Sequence, residues 1–414
     1  MTDSTTTEQT GARGPLAGMR VIELAHIMSG PICGMMLADM GADVIKVEKI
    51  PGGDDCRRFA PLVAGGESAS FMIVNRNKRG IALNLKTDGG REVLGKILAS
   101  ADVVTENYRR GTMEKLGMGY DVLSRANPGL IYCAISGFGR SGPMADKGGF
   151  DLIAQGMSGL MSMTGEPGQA PIKAGSPVTD INAGILAALG ICAAYANRQK
   201  TGRGQMVDTS LFEAGLQQMY WAFANFFADG TVLPKAGSAN PTSAPYQAFR
   251  TRDGWVNIGA ANQSNYQRLL DVLQIPDLEH DERFVTNAGR LQHRDALVEI
   301  LTARLMERTT AEWLARFDEI GLPSGPVLEV PEAVAHEQAL ARGMIVETQH
   351  PLVGATRGIG LPIHFSEGRA EAKRPAPLFG QHTSEVLREY GFDDARIQVL
   401  KDEGAVLETE ALAQ

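Results

Sequence analysis

Between Arg20 and Glu48 the chain switches from one residue period to another and back. Arg20-Val21-Ile22-Glu23-Leu24 is a short apolar run of strand type, Pro31 to Met40 has helical character and is closed by Gly41, and Asp43-Val44-Ile45-Lys46-Val47-Glu48 is a second strand-like run. This is a βαβ unit, whose strands lie parallel because the helix carries the chain back along the sheet. Similar runs follow at Asp102-Val103-Val104-Thr105, Ile131-Tyr132-Cys133-Ala134-Ile135 and Met206-Val207-Asp208, separated by helical or turn segments such as Thr112 to Ala126. The alternation predicts an α/β fold built on a mostly parallel sheet. Ligands of such sheets sit outside the carboxyl ends of the strands, which singles out the loops Ala25 to Gly30, Glu106 to Gly111 and Ser136 to Gly149.

A length of 414 residues suggests more than one core. A helical stretch from Leu211 to about Asp229 gives way to Gly230 to Ser243, which is rich in Gly, Pro, Ser and Asn and reads as a linker. Beyond it lie a hairpin-like segment, Tyr246 to Ala260, and helical runs at Ser264 to Leu273, Arg290 to Glu307 and Thr310 to Ile320, together a smaller α+β domain. The expected organisation is a disordered tail (1–14), a large domain (15–229), a linker with the small domain (230–330), and a segment (331–414) that returns to the large domain.

Composition narrows the function classes. A net charge of -8 argues against nucleic acid as partner, since phosphate binding needs a basic surface. Cys33, Cys56, Cys133 and Cys192 are widely spaced and lack CxxC pairing, so neither a disulfide framework nor a zinc site is indicated, and a reducing cytoplasm is expected. The seven histidines form no ligand pair at i, i+3 or i+4, and no protein metal site is expected. Met1 to Gly14 fits neither a secretory signal nor a transit peptide. The longest apolar stretch, Ala183 to Ala196, falls short of the roughly 20 residues that cross a bilayer, so no membrane span is expected.

Two nucleotide motifs are nearly present. Gly137-Phe138-Gly139-Arg140-Ser141-Gly142 spells GxGxxG after a strand, but Pro143 and Gly148-Gly149 follow where a dinucleotide site needs a helix. Gly90 to Lys96 has P-loop spacing, yet Ile97 stands where a Ser or Thr would hold magnesium, and the stretch looks helical throughout. Asp180 is a different kind of signal, being the only charged residue between Lys173 and Arg198 at the head of an apolar run. On that window alone it reads as a helix N-cap; a carboxylate without a cation is also how a reactive carboxylate is prepared.

A series of blocks, in order and at fixed spacing, resembles the class III CoA-transferase family. They are Pro15 to Glu23, Gly30-Pro31, Gly41 to Glu48, Asn75 to Gly80, Leu83 to Lys86, Glu106-Asn107-Tyr108, Gly137-Phe138-Gly139, Gly149 to Gln155, Asp180 with Ala183-Gly184, and Thr201 to Gln205. The resemblance implies a Rossmann-like large domain with a smaller α+β domain, an interlocked homodimer, and a CoA thioester as substrate with no permanently bound cofactor. It makes Asp180 the nucleophile, which displaces the cap reading. It places His26, Met28 and Ser29 in the CoA loop, Lys49 and Lys115 at phosphate positions where relatives often carry Arg, Leu83, Asn84, Leu85 and Lys86 beside the adenine, and Asn107 on the pantetheine arm. A carboxylate suits the task, since it can hold an acyl group as an anhydride and then CoA as a thioester. The glycine-rich turn at Gly137-Phe138-Gly139 is the expected source of oxyanion donors.

Two departures bear on the activity. Related racemases carry a histidine where this chain has Phe150, and a hydrocarbon ring moves no proton. The glycine run that covers the site in formyl-CoA transferases is missing between Lys235 and Gly254, which disfavours an oxalate-type acceptor. CoA transfer, with a dicarboxylate such as succinate as donor or acceptor, is the leading reading; acyl-CoA racemisation and a catalytically silent CoA-binding protein are the alternatives.

Overall fold

The computed structural model describes residues Gly14 to Thr409. The expected tail of residues 1–14 thus lies, but for Gly14, outside the described residues. The chain divides into two compact units, one holding residues up to Ser158, Ser176–Gln218 and Glu337 onward, the other Gly159–Gly175 and Met219–His336.

The first unit is organised by a seven-stranded sheet. β1 (Arg20–Glu23), β2 (Asp43–Lys49), β3 (Lys78–Leu83), β4 (Val103–Glu106), β5 (Ile131–Ser136) and β6 (Met206–Ser210) run parallel in the order β3-β2-β1-β4-β5-β6. The short strand Val406–Leu407 closes the β3 edge antiparallel, with Val406 opposite Leu83. Helix α1 (Ser29–Asp39) joins β1 to β2, with Val21 opposite Val44, so the βαβ unit forms as its sequence predicts. Both faces of the sheet are covered, which is why its strands are apolar throughout. Ile22, Ile45, Ile81 and Val104 face one layer with the helix Asp88–Ala99; Val21, Val44, Val103 and Ile131 face the other with α1 and the long helix Val178–Thr201.

The second unit has a three-stranded antiparallel sheet, Tyr246–Arg250, Trp255–Gly259 and Ser324–Pro326. The helices Gln263–Val272, Arg294–Leu305 and Thr310–Glu319 bring Tyr266, Leu301, Trp313 and Phe317 onto Phe249 and Val256.

Several expectations are corrected. β3 escapes a hydropathy reading because Lys78 and Arg79 open it; both are buried in ion pairs, Lys78 with Glu23 and Arg79 with Asp43, Glu385 and Glu389. The presumed helix Leu211 to Asp229 is two helices, Leu211–Gln217 and Tyr220–Asp229, and the division between the units falls between them rather than at 229. Residues 230–243 are no linker between units: they belong to the second unit, where Lys235 Nζ donates to the carbonyls of Gln169 and Ala170 and Arg294 Nη2 donates to that of Asn240. The returning chain begins at Glu337, not 331. Gly90 to Lys96 lies inside the helix Asp88–Ala99, so the P-loop spacing is coincidental. The helix Val178–Thr201 is longer than its apolar stretch suggested, and by length and composition alone it is long and apolar enough to cross a membrane. One face of it, Thr179, Ala183, Gly184, Ala187, Ile191 and Ala194, is buried in the fold.

Candidate active site

The carboxyl ends of β1 to β4 gather most of the residues singled out from sequence. After β1 the chain turns through His26 and Ile27 into α1, with Met28 as the residue before the helix and Ser29 buried as its first. Asn107, just past the neighbouring strand β4, brackets His26: its Oδ1 accepts the His26 N–H at 2.9 Å and its Nδ2 donates to the His26 carbonyl at 2.8 Å. The His26 ring lies 5.7 Å from that of Tyr108, and burial holds its pKa below the usual value, which favours neutral imidazole. Lys49 ends β2, and its exposed ammonium pairs with Asp55 at 2.9 Å. Lys115 ends the short helix Thr112–Lys115 and is exposed.

Leu83 differs from expectation. It is fully buried in the core and its carbonyl accepts the Ile50 N–H, so its side chain does not flank an adenine. Asn84, Leu85 and Lys86 follow it outward; Asn84 Oδ1 accepts the Lys86 N–H at 3.2 Å, and Lys86 is exposed. The Gly137–Gly139 turn is also more committed than its glycines suggest. The N–H groups of Gly139 and Arg140 donate to Ser136 Oγ and Asp208 Oδ2, each at 2.9 Å, and are spent. The glycines of this loop serve packing: a Cβ on Gly137 would lie 2.6 Å from the Gly149 Cα, so the two loops touch through bare backbone.

Asp180 is the third residue of the long helix, not its cap; Pro177 holds the cap position. The capping task falls to Asp151, whose Oδ1 accepts from both the Thr179 N–H (3.0 Å) and the Thr179 hydroxyl (2.8 Å) while Gln155 Nε2 donates to its Oδ2 at 2.7 Å. Asp180 itself is half-buried, and among the described residues its carboxylate forms no ion pair. Burial, and after it the charge of Asp151, push its pKa up to about 6.

The helix of Asp180 abuts the His26–Ser29 loop. A Cβ on Gly184, one turn beyond Asp180, would lie 2.6 Å from the Ser29 carbonyl oxygen, so only glycine lets the long helix approach α1 this closely. The helix that carries Asp180 thus packs, one turn beyond that residue, against the loop of His26, Met28 and Ser29, which Asn107 brackets. Lys49 ends β2, Asn84 to Lys86 follow the carboxyl end of β3, and Lys115 lies on the helix after β4.

Sequence reasoning missed what lies beneath that loop. Asp54, Lys46, Glu23 and Lys78 form a buried ionic cluster. Asp54 sits in Pro51-Gly52-Gly53-Asp54-Asp55, which reads as an ordinary exposed turn, and nothing local links it to lysines in two separate strands. Chain topology alone unites them.

The sequence pattern of CoA-transferase family III matches residues 16–383. Succinyl-CoA:glutarate CoA-transferase of Mus musculus is 36% identical over 397 residues, covering 96% of this chain and 91% of the relative. Acetyl-CoA:oxalate CoA-transferase of Acetobacter aceti is 36% identical over 394 residues, 94% of this chain and 100% of the relative. A crystal structure of a CAIB/BAIF family protein from Brucella suis superposes with a TM-score of 0.83 at 38% identity, covering 91% of this chain and 100% of that one. A sheet edge that collects the family's blocks, a solitary carboxylate at a helix end and a match across nearly the whole length agree: the chain belongs to CoA-transferase family III and is a CoA-transferase.

Proposed function

We propose that the enzyme moves CoA from an acyl-CoA donor to a carboxylic acid through Asp180, with succinyl-CoA or a similar dicarboxylate ester as donor. The observation that carries this reading is the Asp180 carboxylate: half-buried, without a cation, and raised to about 6, it is anionic and weakly solvated at neutral pH. Its oxygen attacks the thioester carbonyl of the donor, the C–S bond breaks, and CoA leaves as thiolate beside a mixed anhydride. The thiolate then attacks the Asp180 carbonyl, releasing the donor acid and leaving an aspartyl-CoA thioester. The acceptor carboxylate displaces CoA to form a second anhydride, and the thiolate attacks its acceptor carbonyl, giving the new acyl-CoA and restoring Asp180. His26 to Ser29 and Asn107 hold the pantetheine arm, and Lys49, Asn84 to Lys86 and Lys115 the nucleotide end. Lys49 and Lys115 meet phosphates as point charges, without the fork of an arginine.

Phe150, which is 72% exposed, offers no proton to an α-carbon, which speaks against racemisation. The relatives' names speak for dicarboxylates, and the oxalate-specific relative keeps oxalate among the acceptors to be tried despite the missing glycine run. The test is a matrix of acyl-CoA donors and free acids, read by mass spectrometry of the CoA esters. Succinyl-CoA with a dicarboxylic acid should yield the new ester faster than it hydrolyses; binding or epimerisation without any new ester would refute transfer.

The acid limb of the pH profile follows from the same carboxylate. Because the anion is the nucleophile, kcat/KM should fall about tenfold per pH unit below roughly 6 and level off above it. Rates at saturating acceptor between pH 5 and 8 check this, and a limb near pH 4 would contradict the environment described for Asp180.

The active form is proposed to be an interlocked homodimer. Trp221 and Phe227, 82% and 80% exposed on the helix Tyr220–Asp229, and Val232, 76% exposed just beyond it, support a protein partner for the second unit. Sedimentation at micromolar concentration should give twice the mass of one chain; a stable monomer would overturn this.

A further inference from the structure

Ile27 lies between β1 and α1 with φ 67°, a left-handed backbone that a β-branched residue rarely adopts. Such a conformation persists only where its surroundings impose it. Here they do. Asp54 accepts the Ile27 N–H on both carboxylate oxygens, at 3.0 and 3.2 Å, and also accepts the Cys56 N–H at 2.9 Å. Asp54 is itself buried and bonded to Lys46 at 2.9 Å, and Lys46 Nζ donates to the Ala25 carbonyl at 2.9 Å. Lys78 Nζ donates to the Pro31 carbonyl at 2.9 Å on the far side of the loop. Glu23 joins the two lysines at 3.0 and 2.9 Å. Glu23 reaches so closely beneath α1 that a Cβ on Gly34 would collide with its Oε2.

The backbone from Ala25 to Pro31 is thus gripped from below by side chains of β1, β2, β3 and the turn after β2, and from the side by Asn107. Asp54, Lys46, Lys78 and Asn107 each bond to that backbone, and Glu23 ties the two lysines together beneath it. We propose that Asp54 is a positioning residue for CoA: fixed in place by Lys46, it holds the Ile27 N–H directly and keeps Ile27 in its left-handed conformation, so that His26, Met28 and Ser29 are already in place when the thioester arrives. This rests on the reading above that the His26–Ser29 loop contacts CoA. A rigid loop binds without the ordering cost that a mobile one incurs, so the effect belongs in affinity for CoA rather than in the chemistry at Asp180.

The experiment uses the full-length enzyme and free CoA, titrated calorimetrically, for the parent, Asp54→Asn, Ile27→Gly and the double variant. Asp54→Asn keeps an acceptor oxygen for Ile27 but loses the bond to Lys46. CoA dissociation constants should rise at least tenfold in Asp54→Asn, with the donor KM rising in parallel and kcat changing less than threefold. Hydrogen exchange at residues 26–32 of the ligand-free protein should quicken. Glycine has no left-handed penalty, so Ile27→Gly in the Asp54→Asn background should recover affinity by threefold or more, which lost stability alone would not produce. If Asp54→Asn does not fold, Ile27→Gly alone decides: relief of the left-handed strain should raise the melting temperature, and a lowered one overturns the proposal. A parent that binds CoA with Asp54→Asn within twofold of it refutes this proposal alone. A parent that binds no CoA removes the functional reading as well.

Discussion

Asp180→Asn is expected to fold as the parent does and to lose CoA transfer by roughly four orders of magnitude or more, the scale seen when a covalent nucleophile is removed. The structure makes this variant cleaner than the sequence suggested. Were Asp180 the N-cap, asparagine would keep a capping oxygen and lose only the charge at the helix end; because Asp151 accepts the Thr179 N–H instead, the cap is not touched at all. Asp180 has no cation to lose, and replacing a half-buried charge by a neutral amide removes a desolvation cost. The melting temperature should therefore be unchanged or slightly higher. Activity and thermal unfolding measured on one preparation separate the two roles. A variant that unfolds early would return Asp180 to a structural part.

Glu23→Gln is expected to be the most damaging conservative change to stability. Glu23 is fully buried between two equally buried lysines. Removing its charge leaves Lys46 with Asp54 and Lys78 with only neutral partners, and breaking a buried pair of this kind costs about 3–5 kcal/mol. The pH dependence has a definite sign. Burial, partly offset by Glu23, already lowers the Lys78 pKa to about 8, below the 10.5 of an ordinary lysine. Without Glu23 it falls further, so the unfolded chain binds the extra proton and stability rises with pH up to about 10. Urea unfolding at pH 7 and pH 9.5 should show the variant far below the parent at the lower pH and closer to it at the higher. Equal stabilities at pH 7 would contradict the cluster.

What could be read in advance, and what could not, follows from the range of the interactions. The βαβ unit rests on local period and on Gly41, so β1, α1 and β2 appear in the chain itself. Asp180 stands out for the same reason, as a local anomaly of charge. β3 does not, because its first residues are a lysine and an arginine whose partners lie far away in sequence, at Glu23 and at Glu385 and Glu389. The division between the units is hidden because Gln218 and Met219 carry no break in composition. The cap is hidden too: Asp151 precedes Thr179 by 28 residues, and only the folded chain pairs them. Leu83 belongs to a block that also marks a core strand, and the sequence does not say which of four neighbours turns outward.

The central claim is that Asp180 becomes covalently attached. The most direct measurement is peptide mass spectrometry after incubating the parent enzyme with succinyl-CoA alone and quenching with hydroxylamine or borohydride. The account predicts a hydroxamate, or the alcohol from reduction, at Asp180 and at no other carboxylate, and none in Asp180→Asn. A modified Asp151, or steady transfer with every carboxylate unmodified under conditions that trap a model thioester, would contradict it.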